Sequence, residues 1–328
     1  MKRTLVFFIA ILTIEFANAQ KSSSLTSGNY GSIMTIEKKM QRIGYSVLGD
    51  TVESNRIKGS REFIKLLVEA LKVENSFQYK FDSLPYLAKV YPEDSSFRIF
   101  TIQVMLDNYT YVHFGAVQLN RKNIKLIPFK DFSDTFAIPP LTQELTNKNW
   151  LGAVYYRCFT KMVKGKPIYF LFGFDQNDIL SQKKYIEPMR IINDSLIKFG
   201  YPIFQKGKVI APDQIVFDPH SKKQMKIPGK VKPGKTYHRY MLEYRRGGTA
   251  SLTYDREKDR ILFDHLAPID NKSHEAGFMK LSDGTYEGFH WKNDNWVWQE
   301  FVTVAEKDDN KPIRPVPSPS GSSVLEKQ

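Results

Sequence analysis

From residue 33 onward the apolar positions Ile33, Ile36, Met40, Ile43 and Val47 recur at spacings of three and four, the repeat of one helix face. A second stripe runs through Phe63, Ile64, Leu67, Ala70 and Leu71, with Ser60 placed as its N-cap. Such stripes need a surface to cover, and a sheet of the same chain is the commonest one. Beyond Phe77 the period changes to two. Residues 97–106 alternate as a strand, Asp107-Asn108 reverses the chain, 109–119 returns, and 120–123 turns again into 124–129. A proline-containing connection over 130–148 leads to strand-like runs at 150–160 and 167–174, and 179–187 reads as a short helix. Further strands are expected at 237–245, 249–254, 260–265, 285–291 and 296–301. Most of these runs are joined by a handful of residues, whereas a parallel crossover needs about a dozen or more. The expected fold is therefore α+β and mostly antiparallel β, with the N-terminal helices packed on a strand-rich sheet or sandwich. No fixed period suggests a propeller.

The two ends carry different signals. Lys2 and Arg3 precede an apolar run from Leu5 to Ile14, and Ala17-Asn18-Ala19 offers small residues at the cleavage positions. Residues 1–19 thus read as a secretory signal peptide, giving a mature start at Gln20 and a periplasmic or secreted protein. The run is about half of what a bilayer-spanning helix requires. Residues 20–31 are rich in Ser and Gly and are expected to be disordered, ahead of a helical segment over 32–95 and a β domain over 96–305. The Pro- and Ser-rich stretch at 306–328 is likewise expected to be a disordered tail.

Charge and cysteine content narrow the classes further. The chain of 328 residues has a formal net charge of +13, which outside a cell favours encounter with anionic lipids, acidic polysaccharides or nucleic acid. Residues 205–239 concentrate nine Lys or Arg against Asp213 and Asp218, punctuated by Pro and Gly. They are expected to form an exposed basic loop, whose Lys222, Lys223, Lys226, Lys230, Lys232 and Lys235 would be the anion-binding residues. Cys158 is the single cysteine, so no intramolecular disulfide can form and an apolar core must supply the stability. Within a strand-like run, Cys158 reads as a small buried hydrophobe.

The segments FRIFTIQV (97–104), NWLGAVYY (149–156), YFLFGFD (169–175), RYMLEY (239–244), LFDHLAP (262–268) and DGTYEGF (283–289) resemble a family of exported Bacteroidetes proteins with no assigned activity. The resemblance covers roughly residues 95–301. It implies export and a shared strand-rich domain, and it transfers no catalytic residue.

Chemistry-bearing motifs are sparse. There is no HExxH, Cys-x-x-Cys, Gly-Lys-Ser/Thr phosphate loop, dinucleotide fingerprint or Gly-x-Ser-x-Gly elbow. The six histidines, His113, His220, His238, His265, His274 and His290, lack ligand spacing, and neither a metal nor a cofactor is predicted. Neighbouring Asp264 and His265 would point to opposite faces of a strand, while Asp107 and Asp175 read as turn formers at strand ends. The last hairpin is richer. With a four-residue loop over 292–295, Trp291 would pair with Trp296, Phe289 with Trp298 and Glu287 with Glu300. Four rings and two carboxyls on one face suit stacking on a sugar and acid/nucleophile or acid/base cleavage of a glycoside. The same rings equally suit an aromatic core, since cross-strand aromatic pairs stabilise a hairpin by about 0.2–1 kcal/mol each. The first functional expectation is a non-enzymatic binding or structural component of the envelope, engaging a polysaccharide or another envelope component. A secreted glycan hydrolase using Glu287 and Glu300, and a binder of anionic polymer or membrane surface through the basic loop, are the alternatives.

Overall fold

In the computed structural model the described residues are 24–211, 214–218, 223–227, 230–270 and 276–300, with the backbone alone described at 45–48 and within 208–233. The expected signal peptide, residues 20–23 and the C-terminal tail lie outside them.

Helices α1 (Ser27–Gly49) and α2 (Glu53–Leu71) bury the expected stripes: Ile33, Ile36 and Met40 from one, Phe63, Leu67, Ala70 and Leu71 from the other. Two boundaries differ from expectation. Residues 27–31 are helical rather than disordered, because Tyr30 packs against Tyr79 at 5.0 Å and the Asn29 amide donates to the Glu74 carbonyl. Tertiary contact overrides weak local propensity there. Helix α2 starts at Glu53 rather than at Ser60; Ser60 is buried in mid-helix and donates to the Ile57 carbonyl at 2.8 Å. Asp50 supplies the entry contacts instead, accepting from the Val52 N–H at 2.8 Å and the Asn55 amide at 3.1 Å.

The fold is α+β, strand-rich and mostly antiparallel. Strands β1 (Ala88–Val90), β2 (Phe97–Met105), β3 (Tyr111–Leu119) and β4 (Leu126–Phe129) form the first sheet in sequence order. The second contains β5 (Leu145–Thr146), β6 (Val154–Val163), β7 (Lys166–Asp175), β8 (Ser181–Ile191) and β9 (Ile197–Phe199), in the order β5-β9-β8-β7-β6. Next in the chain come β10 (Phe204–Ala211), β11 (Gln214–Asp218), β12 (Lys223–Ile227), β13 (Lys230–Tyr237) and β14 (Tyr240–Arg245), then β15 (Leu252–Asp255), β16 (Arg260–Pro268), β17 (Lys280–Lys292) and β18 (Asn295–Gln299). The third sheet runs β13-β10-β18-β17-β16-β15, β14 pairs with β8, and β11 pairs with β12. Among the described strands only β10 and β18 pair in parallel.

These elements stack in four layers. Phe100, Ile102 and Val104 of β2 pack on the helices, while Phe97 and Ile99 face the second sheet. Strand β7 is buried on both sides, Tyr169 and Leu171 toward the first sheet and Ile168, Phe170 and Phe172 toward the third. This double burial explains why IYFLFGF reads as an unbroken apolar run instead of an alternating one. Each such side chain contributes about 1.5–3 kcal/mol through burial.

Two further expectations change. Residues 181–191 form a strand, not a helix, since β8 is claimed by β7 on one edge and by β14 and β9 on the other. Nor is 205–239 a plain loop. Its ends pair as β10 and β13, from Phe204↔Tyr237 to Ala211↔Lys230, and β11 and β12 pair between them. Apolar residues alternating with the lysines let this charged segment satisfy its backbone by pairing with itself.

Candidate binding cleft

Strand β3 turns His113, Gly115 and Val117 toward the second sheet, and His113 meets a carboxylate on each side. Asp131, just after β4, accepts the His113 backbone N–H at 2.6 Å and lies 3.2 Å from Nδ1 through the same Oδ2. Asp175, the last residue of β7, brings Oδ1 to 3.3 Å from Nε2, a contact of charge rather than a well-aligned hydrogen bond. The carboxylates are themselves held: Asp131 accepts from the Ser133 N–H at 2.9 Å and Asp175 from the Asn177 N–H at 2.8 Å. Gly152, at φ +78°, passes so close that a Cβ there would stand 2.7 Å from His113 Nδ1 and 2.8 Å from Asp131 Oδ1. Only glycine allows both the backbone angle and the approach.

Burial alone would push the His113 imidazole down, but Asp175 and Asp131 override it and hold the pKa up at about 9. Burial likewise favours the neutral acids, yet the imidazolium and the backbone N–H donors keep Asp131 and Asp175 below the usual carboxylate range. No member of the trio therefore changes charge near neutrality. Lys183 adds a second positive charge beside Asp175 and donates to Asn177 Oδ1 at 2.6 Å, so cations and carboxylates balance at this spot.

Above the trio opens a cleft of about 420 Å³. Its rings are Tyr111, Phe136 and Tyr185, and its polar groups include Asn108, Asp134, Asn177 and Asp178. These groups are braced from behind. Asp178 accepts from the Leu180 and Ser181 N–H groups at 2.7 and 2.9 Å, and Arg246 donates to the Tyr111 hydroxyl at 3.1 Å. Preorganised polar groups beside aromatic rings are the ordinary means of fixing a small polar ligand.

The chain matches no family model, no curated protein and no solved structure.

The last hairpin has the expected aromatic register, Trp291↔Trp296 and Phe289↔Trp298, around a two-residue turn at Asn293-Asp294 instead of four residues. Both turn residues have positive φ, 50° and 57°, as a type I′ turn requires. Pairing stops at Gly288↔Gln299, so Glu300 lies beyond the ladder. The rings do not form an open stacking platform. Phe289 and Trp296 are 1 % and 0 % exposed, packed in the core between the second and third sheets. The half-buried Trp291 and Trp298 are approached by Lys161 at 5.4 Å and Lys206 at 5.1 Å. Glu287 is buried with Lys206 Nζ 3.5 Å from its Oε2.

Of the expected anion-binding lysines, Lys222 lies outside the described residues, and Lys223, Lys226, Lys230 and Lys232 are described by backbone alone; Lys235 is exposed. Burial pushes the Cys158 thiol well up, which suits a packing residue. His265 sits 2.7 Å from Asp283, not against its neighbour Asp264. Among the described residues no three metal-binding side chains cluster for an ion.

Sequence reasoning missed His113 and Asp131, and saw only the turn-forming part of Asp175. The available signal was an imidazole on the inward face of the 109–119 strand, a position that needs polar partners wherever it is buried.

Proposed function

We propose that this is an exported, non-enzymatic binding protein of the bacterial envelope, akin to the exported Bacteroidetes family that its segments resemble, whose cleft takes an uncharged, hydroxyl-rich ligand such as a saccharide. One observation carries the reading: on the cleft's floor Asp131 and Asp175 flank the His113 ring at 3.2 and 3.3 Å, so its charges are paired with one another. A general acid or base works best with a pKa near the operating pH; fixed, paired charges favour recognition over proton transfer. Charges paired with one another on the floor leave it without an electrostatic demand for an ionic ligand, and rings beside carboxamides suit a sugar's apolar faces and hydroxyls. Export is supported by the order of basic, apolar and small residues at 1–19. Hydrolysis by Glu287 and Glu300 would need two carboxyls at an open surface, and the burial of Glu287 against Lys206 speaks against it.

Titration calorimetry of the mature chain against neutral and charged oligosaccharides tests the binding. Saturable binding of a neutral sugar is expected, weakened roughly tenfold in Asn177→Ala and in Tyr111→Ala by loss of hydrogen bonds and ring contact. Absence of binding across a broad neutral set, or release of reducing ends, overturns the reading. N-terminal sequencing of the native protein tests export: Gln20 is expected first, and a retained Met1 contradicts it.

A further inference from the structure

The large apolar side chains that the fold leaves in solvent are not scattered evenly. Ile138 is 81 % exposed, Ile179 59 %, Tyr109 53 % and Leu180 52 %, four of the five most exposed large hydrophobic residues among the described side chains. All four border the cleft. Tyr109 stands between the lining residues Asn108 and Thr110, Ile138 precedes the lining Pro139, and Ile179-Leu180 follows the lining Asp178. They come from three separate chain reversals: the β2–β3 turn, the 130–144 connection and the β7–β8 turn.

Basic groups lie directly behind one of these tips. The Arg246 N–H donates to the Leu180 carbonyl at 2.8 Å, and Arg245 pairs in register with Ser181. Arg245 is exposed and has no ion-pair partner within 4 Å among the described residues. Separate apolar tips backed by a cation match a lipid surface, where apolar side chains enter between headgroups and the cation meets phosphate. A protein partner would be better served by one continuous patch around a packed anchor. The net charge of +13 adds long-range attraction to an anionic surface.

We infer that the cleft mouth is a membrane-docking surface: Tyr109, Ile138, Ile179 and Leu180 enter the headgroup region of an anionic phospholipid bilayer, and Arg245 engages its phosphates. The inference stands independently of the ligand in the cleft. Docking in this orientation turns the cleft toward the bilayer.

The test is flotation of the mature chain with phosphatidylcholine vesicles containing about one-third phosphatidylglycerol, compared with phosphatidylcholine alone. The mature chain should float with the anionic vesicles. The triple variant Ile138→Ser, Ile179→Ser, Leu180→Ser should lose at least about tenfold in vesicle affinity, with an unchanged circular dichroism spectrum. Arg245→Glu should weaken binding to the anionic vesicles alone. No flotation of the mature chain overturns the inference, as does equal flotation of the triple variant, which would assign binding to charge elsewhere. Loss of a solution dimer in the triple variant without a change in flotation also overturns it, making the patch a protein interface. Sugar binding measured in parallel separates the two proposals, because a chain that binds sugar and ignores vesicles refutes docking alone.

Discussion

His113 Nε2 lies 3.3 Å from Asp175 Oδ1, and this contact ties the first sheet to the second at the floor of the cleft. Two carboxylates flanking one buried imidazole are tolerable only while the ring is charged. Its folded pKa of about 9 lies above the ordinary histidine value of about 6.5. The resulting stabilisation is complete below about pH 6.5 and fades as pH rises through 9, amounting to up to about 3 kcal/mol. Asp131 and Asp175, held low, act in the opposite sense: their contribution is present above the ordinary carboxylate range and disappears as pH falls through their lowered values. Urea unfolding followed from pH 5 to 10 should give a declining alkaline limb. His113→Gln should flatten that limb while lowering stability at pH 6 by about 3–5 kcal/mol. A limb unchanged in the variant would place the titration elsewhere.

Gly152 gives a sharper local test. A methyl group there meets both His113 Nδ1 and Asp131 Oδ1 within 3 Å, and the backbone angle of +78° is strained for alanine. Gly152→Ala should cost on the order of 1–3 kcal/mol and move the His113 ring. Gly165→Ala, also at positive φ but with open space around the added Cβ, should cost only about 1 kcal/mol. Nuclear magnetic resonance of the His113 ring would then shift in the first variant and not in the second.

Deeper in the second sheet, Arg239 Nε donates to Glu187 Oε1 at 2.8 Å, Tyr155 donates to Oε2 at 2.7 Å, and Trp150 donates to the Tyr155 hydroxyl at 2.8 Å. The remaining guanidinium donors reach the carbonyls of Pro140, Gln143 and Phe199. Every partner is a protein group, so the network closes the core and joins the 140–143 connection to it. Removing one charge leaves the other buried without compensation. Glu187→Gln and Arg239→Met should each cost about 3–5 kcal/mol, and the double variant should cost less than their sum. Additive losses in a denaturation cycle would mean that the two side chains act independently.

The sequence made the elements far more legible than the site. Alternation located β3 and β6, where one face is buried more deeply than the other, whereas β7, buried on both faces, stood out as a short apolar run bounded by turn residues. Alternation failed at β8, where polar residues precede Tyr185 and Ile186 and pairing on both edges decides the conformation. The basic 205–239 segment was opaque for a related reason: lysine frequency signals solvent, while strand pairing depends on backbone partners in the fold. Asp131, His113 and Asp175 are far apart in the chain and come together only when two sheets stack, so no spacing rule marks them.

The last hairpin separates a packing role from a ligand role. Trp296 is fully buried against Phe159 and Phe170, with ring centroids 5.9 and 5.8 Å away, whereas Trp298 is half-buried beneath Lys206. Trp296→Ala should therefore lower stability by about 3–5 kcal/mol. Trp298→Ala should cost about 1 kcal/mol, since much of its ring already meets solvent or a lysine. Neither Trp298→Ala nor the pair Glu287→Gln and Glu300→Gln should alter sugar affinity measured calorimetrically on folded protein. Were the hairpin the sugar site, the pattern would reverse: Trp298→Ala would abolish binding at nearly unchanged stability, and the glutamate variants would change affinity or turnover.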